Sequence, residues 1–341
     1  MKTFATLVSA QGPIGIIGGG AFGTALAVSY ASGGHDVVLW VRRTEQAESL
    51  RHNRVNTAYL PDIHLPDGVI VTTQLADLNV CRTVLLVTPA QATRDMVTHL
   101  RAALSTPIPL VLCSKGIEVG THALLHDIVH DIWPDCPTAY LSGPSFAADI
   151  ARQRPTALTL ACADTSLGRD LAALLTLPHL RLYRSNDMIG TAIGGAVKNV
   201  LAIACGIATG LDLGDSARAA LVTRGLAELA RLNTAMGGQR ETLFGLCGIG
   251  DIILTCTSMQ SRNFSLGQLI GAGESAASVL QERTSVTEGV HTAQAVADLA
   301  MMRQVDLPIT QAVHAVLQGH IRPREALNTL LLRPMADEMQ S

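Results

Sequence analysis

The chain has 341 residues, 48% of them hydrophobic and only 3% aromatic, with a formal net charge of -3. That length suits two ordinary domains or one large one, and the composition excludes a disordered chain. The near-neutral charge gives no support to a nucleic-acid partner, which would ask for a basic face. Seven cysteines without a CxxC pair argue against a disulfide framework and against a structural zinc site. The opening MKTFATLVSA is too weak for a signal peptide, and no uninterrupted apolar run reaches ~18 residues. No membrane span and a cytoplasmic location are therefore expected.

The first half alternates between strand and helix signals. PIGIIGG at 13–19 is a β-branched run ending in glycines. A helix is expected over 21–32 and a second strand over 34–43, which makes a βαβ unit. Residues 71–78 are ambiguous. Strands follow at 82–90, 109–116, 138–144, 156–163 and 180–185, with helices at about 91–104, 122–133 and 167–177. The strands are apolar on both faces, as in a mostly parallel sheet. Beyond Asp187 almost nothing reads as strand, and helical spacing recurs at 217–236, 276–280, 287–305 and 310–318. The expected fold is an α/β Rossmann-like domain over 1–188 followed by an all-α domain over 189–341. A ligand cleft between abutting domains is the default site.

Gly18-Gly19-Gly20-Ala21-Phe22-Gly23 fits the dinucleotide fingerprint, after a strand and at the start of a helix. In this pattern Gly18 allows the turn, Gly20 lets backbone approach a pyrophosphate, and Gly23 lets helix pack on sheet. The second strand ends in Arg42 and Arg43 rather than in an acid. Two guanidiniums suit the 2′-phosphate of NADP, so NADP(H) is favoured over NAD(H). The alternatives are that both are solvated, or that one stacks on adenine.

Several short stretches can carry chemistry. Of 25 basic residues only three are lysines, Lys2, Lys115 and Lys198. Lys115 follows a strand end, where open α/β sheets bind ligands. Lys198 lies in GGAVKNV, among small and apolar residues. It either snorkels to water or stands beside an acid as a proton donor and acceptor. Asp251, after a Gly-x-Gly turn, is a helix N-cap or that acid. Ser261, Arg262 and Asn263 form a donor cluster suited to phosphate, or an ordinary polar loop. Gly143 and Ser145 lie in the turn SGPSF, and Glu288 reads as a first-turn helix residue. Asn199 has no role at this stage beyond a structural hydrogen bond.

Taken together and in order, GGGAFGTALA, SKG, SGPSFA, GGAVKNV, GIGDIILTCTS and QSRN resemble the bacterial NAD(P)-dependent glycerol-3-phosphate dehydrogenases, from about Gly15 to Leu330. The resemblance implies that Lys198 accepts the proton when the C2 alcohol is oxidised. It implies contacts to glycerol 3-phosphate, a small phosphorylated three-carbon substrate, from Lys115, Gly143, Ser145, Lys198, Asp251, Ser261, Arg262 and Asn263. It implies cofactor contacts from Ala21, Phe22, Arg42, Lys115, Ala147, Arg262, Val286 and Glu288. A homodimer, a supply of glycerol phosphate for phospholipid synthesis and a reaction without metal are implied as well. The chain departs from the pattern at Ala21, where the family often has Ser, at Ser145, often Thr, and at Thr191, often apolar. Phe264-Ser265-Leu266-Gly267 also stands where the family continues with further arginine. Rival readings are another two-domain dehydrogenase acting on a hydroxy acid, and a cofactor-binding sensor without activity.

Overall fold

The computed structural model describes residues 12–283 and 287–334. The opening MKTFATLVSA and Val286 lie outside the described residues. The chain divides into two compact units, Met1–Ser114 with Leu125–Met188, and Lys115–Leu124 with Ile189–Ser341. Residues 115–124 thus leave the α/β unit and pack with the helical one. Ile117 and Leu124 are buried and bridge to each other, and the Glu118 amide donates to the Ala123 carbonyl, closing a short loop.

In the first unit the strands β1 (Ile14–Ile17), β2 (Val37–Trp40), β5 (Val69–Thr72), β6 (Thr83–Leu86), β7 (Leu110–Leu112), β8 (Thr138–Ser142), β9 (Thr156–Ala161) and β10 (Leu180–Ser185) form one sheet. Its order is β10-β9-β8-β7-β6-β1-β2-β5. Only the β8–β9 pair is antiparallel, so the sheet is mostly parallel. Every residue of β1, β2 and β6 is buried. This is why these strands read as continuous apolar runs rather than alternating ones. The strand order reverses at β1, which has β6 on one side and β2 on the other. In open α/β sheets the carboxyl end at such a point is where ligands bind. Helix α1 (Ala21–Ser32) follows β1 directly, and α3 (Thr93–Ala103), α4 (Leu125–Ile132) and α6 (Thr165–Leu175) are further helices of this unit.

Two features of this unit escape the sequence pattern. Helix α2 (Thr44–Asn53) buries only Ala47 and Leu50, so it shows almost no apolar stripe. The antiparallel pair β3 (Val55–Asn56) and β4 (Leu60–His64) is too short for an alternation to register. The ambiguous 71–78 stretch splits, ending β5 at Thr72 and starting a 3-10 turn at Leu75.

The second unit is built from α7 (Met188–Gly210), α8 (Gly214–Ala235), α9 (Asp251–Cys256), α10 (Arg262–Gly271), α11 (Ala276–Glu282), α12 (Glu288–Arg303), α13 (Pro308–Leu317) and α14 (Pro323–Leu331). Helix α7 is long and apolar enough by composition to cross a membrane, yet 89% of its apolar window is buried inside the protein. It is the core helix of this unit. Its glycines let neighbours come close. A Cβ at Gly206 would stand 2.1 Å from the Phe264 carbonyl oxygen, and one at Gly267 would stand 2.1 Å from that of Ile203. Helices α7 and α10 therefore touch backbone to backbone. This brings Asn199 and Asn263 within reach of one another.

Candidate functional site

The second unit gathers both internal lysines on one carboxylate. The Lys198 Nζ donates to Asp251 Oδ1 at 2.5 Å and to Thr255 Oγ1 at 2.9 Å. The Lys115 Nζ donates to Asp251 Oδ2 at 2.6 Å. Each carboxylate oxygen thus has its own ammonium. Asp251 is fully buried and Lys198 is 7% exposed. Lys198 does not snorkel, and Asp251 is not an N-cap. Asp251 is the first residue of α9, and its side chain is spent on the lysines.

The local sequence explains the meeting. Gly194 precedes Lys198 by one helical turn. A Cβ there would lie 2.6 Å from the Cys247 carbonyl oxygen. The missing side chain lets the 246–250 turn, which carries Asp251, approach α7. Thr255 lies one turn after Asp251 and so shares its face of α9. That spacing is a sequence signal for Thr255, and the sequence reading missed it.

Burial fixes the electrostatics. Desolvation pulls the Lys198 ammonium down to about 8. Asp251 opposes the fall, and neighbouring Lys115 adds to it. Burial alone would push the Asp251 carboxyl up, but Lys115 and Lys198 outweigh it and hold it below its ordinary value.

A second network joins the same helices. The Gly289 amide donates to Asn263 Oδ1 at 3.0 Å, and Asn263 Nδ2 donates to Asn199 Oδ1 at 2.9 Å. Asn199 Nδ2 in turn makes a long 3.5 Å contact to the Lys115 carbonyl oxygen. Asn199, expected to make a structural hydrogen bond, links α10 to the segment that carries Lys115. The Asn263 side chain, expected on substrate phosphate, is 8% exposed and engaged inside this network. Ser261 caps α10, its Oγ accepting from the Phe264 amide. Arg262 follows at the first helical position with its side chain exposed.

Phe264, in the segment where the resemblance implies further arginine, has a packing reason, because it is buried beside Leu266 in α10. Positive charge arrives from elsewhere. Arg283 donates to the Arg262 carbonyl oxygen at 2.8 Å and to Ser265 Oγ at 3.0 Å. Glu288 opens α12 as its first residue.

The remaining expected residues belong to the first unit. Gly18 has a φ of +125°, and a Cβ on it would meet the Val87 carbonyl at 2.6 Å. A Cβ at Gly23 would lie 2.0 Å from the Gly18 oxygen, so both positions require glycine. At Gly20 a Cβ would meet nothing within 4 Å. The first turn of α1, starting with Ala21 and Phe22, holds no acid and no side-chain cap. An uncapped helix start beside open space fits a dinucleotide pyrophosphate. Arg42 and Arg43 are exposed just beyond β2, and Arg43 lines a cavity of about 360 Å³ with Gln46, Ser49 and Asn56. Gly143 has a φ of +143°, the Ser145 Oγ donates to its carbonyl at 3.3 Å, and Ala147 begins α5 (Ala147–Ala151).

Comparison with known proteins identifies the family of the chain. Residues 13–168 match the family model for the NAD-dependent glycerol-3-phosphate dehydrogenase N-terminus, and residues 187–328 match that for its C-terminus. The chain is 49% identical over 326 residues to glycerol-3-phosphate dehydrogenase [NAD(P)+] of Rhodospirillum rubrum, covering 95% of this chain and 93% of that one. It is 47% identical to the protein of the same name from Maricaulis maris, covering 95% and 98%. The crystal structure of glycerol-3-phosphate dehydrogenase from Coxiella burnetii matches with a TM-score of 0.91 and 37% identity, over 95% of this chain and 99% of that one. The chain belongs to the NAD-dependent glycerol-3-phosphate dehydrogenase family.

Proposed function

We propose that the chain interconverts sn-glycerol 3-phosphate and dihydroxyacetone phosphate with NAD(P)(H), and that Lys198 is its acid–base group. The observation that carries this reading is the buried Asp251 carboxylate shared by Lys198 and Lys115. A lysine pulled down to about 8 exchanges a proton readily near neutral pH, as reversible acid–base chemistry requires.

Lys198 commits two of its three N–H groups, to Asp251 and to Thr255. The third serves the C2 oxygen. During reduction Lys198 gives its proton to that oxygen, and during oxidation it takes the proton back. Asp251 orients the ammonium, and Lys115 shares that carboxylate, so the Lys198 charge is left to favour the charge that develops on oxygen. Arg262 and Ser261 bind the phosphate. Their contact is remote from C2, so its binding energy positions the reacting carbon. Asn263 contributes indirectly by holding Asn199. Gly143 and Ser145 are assigned to the substrate by resemblance.

Gly18, Gly20, Gly23, Ala21 and Phe22 hold the dinucleotide, which when bound supplies or takes hydride. Arg42 and Arg43 give it a preference for NADP(H), and Ala147, Arg262, Val286 and Glu288 are further contacts assigned by resemblance. The protein works as a homodimer in the cytoplasm and supplies glycerol phosphate for phospholipid synthesis. A spectrophotometric assay with dihydroxyacetone phosphate, run with NADPH and NADH in parallel, tests the reading. Cofactor oxidation that depends on this substrate is expected. No oxidation with either cofactor would sink it.

A further inference from the structure

The first unit contains a hydrogen-bonded device that the reaction as described does not use. Gln46 Nε2 donates to the Gly19 carbonyl oxygen at 2.7 Å. Asn56 Nδ2 donates to the same oxygen at 3.0 Å and to Thr24 Oγ1 at 2.7 Å. The two amides come from different elements, α2 and β3, and Asn56 is 3% exposed.

The Gly18-Gly19-Gly20 run explains why such a device is needed. Glycine backbone explores many conformations, so a peptide plane between two glycines is easily turned over. In a trans peptide the carbonyl of Gly19 and the N–H of Gly20 point in opposite directions. Fixing that carbonyl toward Gln46 and Asn56 therefore aims the Gly20 N–H the other way. A reversed plane would present a carbonyl oxygen to an anion and repel it. Ala21 has no side-chain donor to compensate, so the loop's attraction for an anion rests on its backbone N–H groups.

We propose that Gln46 and Asn56 are positioning residues for cofactor binding. Together they clamp the Gly19 carbonyl and pre-set the Gly20 N–H toward the dinucleotide pyrophosphate. The proposal rests on the nicotinamide-dinucleotide reading above. Asn56 also bonds Thr24 in the first turn of α1, a contact separate from the two bonds that hold the Gly19 carbonyl. The bonds of the clamp lie within the first unit, so it acts on cofactor affinity and leaves the proton chemistry at Lys198 alone.

The test is calorimetric titration of the full-length protein with NADPH and with NADH, alongside steady-state kinetics. Gln46→Met removes one donor, keeps the length and adds no charge. Gln46 is only half-buried on α2, so this variant retains the fold. Losing one such bond should raise the dissociation constant of either cofactor by roughly 3–10-fold. The KM for dihydroxyacetone phosphate and kcat at saturating cofactor should stay unchanged. Gln46→Met combined with Asn56→Leu should weaken cofactor further. Thr24→Val cuts only the Asn56–Thr24 bond, so it should lower the melting temperature and leave cofactor affinity intact.

Unchanged cofactor affinity in Gln46→Met overturns the clamp. Equal weakening of cofactor and substrate overturns it as well, since that is the mark of general damage. Thr24→Val weakening the cofactor as much as Gln46→Met would do the same. Failure of the unaltered protein to bind either dinucleotide would instead remove the cofactor reading itself, and the clamp with it.

Discussion

Lys198 and Asp251 stand 53 residues apart in the chain, and the ammonium of one lies 2.5 Å from the carboxylate of the other. Both are buried, so neither charge is shielded by water. The bond works as an electrostatic unit because Lys115 shares the same carboxylate.

Replacing Lys198 with Ala should lower kcat by ~10²–10⁴-fold, the scale of losing an acid–base group. Steady-state kinetics in both directions checks this. Near-normal turnover would remove Lys198 from the mechanism.

The pH dependence should differ between directions. Reduction needs protonated Lys198, so its rate should fall as pH rises through about 8. Oxidation needs the neutral amine, so its rate should rise through the same region. Asp251 raises the Lys198 value. Asp251→Asn should therefore move both limbs to lower pH. Profiles of kcat for the two proteins decide it, and unmoved limbs would count against the pairing.

Glu228 on α8 predicts a separate pH effect, on stability. Its carboxylate accepts from the Ile309 amide at 2.6 Å and the Thr310 amide at 3.2 Å, at the start of α13. Burial nonetheless pushes its carboxyl up to about 7, against an ordinary value of 4.5. The folded state thus binds this proton more tightly than the unfolded chain does. That contribution is complete below about 4.5 and is lost as pH rises through about 7. In Glu228→Gln this loss should vanish. Thermal melts of both proteins across the window measure the difference, and parallel pH curves would refute it.

Gly206→Ala should destabilise the helical unit. The added methyl would sit 2.1 Å from the Phe264 carbonyl oxygen, which is backbone and cannot swing away. Overpacking of this kind costs about 1–3 kcal/mol. Denaturant unfolding measures it, and an unchanged midpoint would show that α7 and α10 separate freely.

Cofactor choice should respond to the arginines after β2. Replacing Arg42 and Arg43 together with Ala should weaken NADPH by roughly 10-fold or more, through lost charge-assisted bonds to the 2′-phosphate. NADH should change much less. Titrations with both cofactors check the contrast, and equal effects would leave the arginines to solvent.

Much of the first unit was legible because buried parallel strands must be apolar along their whole length, and β1, β2 and β6 are. Helix α2 was not, since its ten residues bury only Ala47 and Leu50. The β3–β4 pair was hidden by its shortness, and with it the Asn56 amide. In the second unit, helical spacing identified α8, α11, α12 and α13. The sequence placed residues 115–124 with the first domain, because their packing with those helices depends on the path of the chain.

By itself the sequence determined what is local: the glycine run between strand and helix, the continuous apolar runs and the 3.6-residue spacing that set the elements, and two internal lysines in a chain whose other basic residues are almost all arginine. Tertiary structure decided what those lysines do. Lys115 meets Asp251 across 136 residues and Lys198 meets it across 53. No short-range pattern encodes which oxygen each one takes. The fall of Lys198 to about 8 comes mainly from desolvation, which exists only once α7 and α9 have closed around the amine. Asn199 follows the same logic. Its neighbour in sequence is Lys198, but its partner in space is Asn263, brought there by the glycines that let α7 and α10 touch.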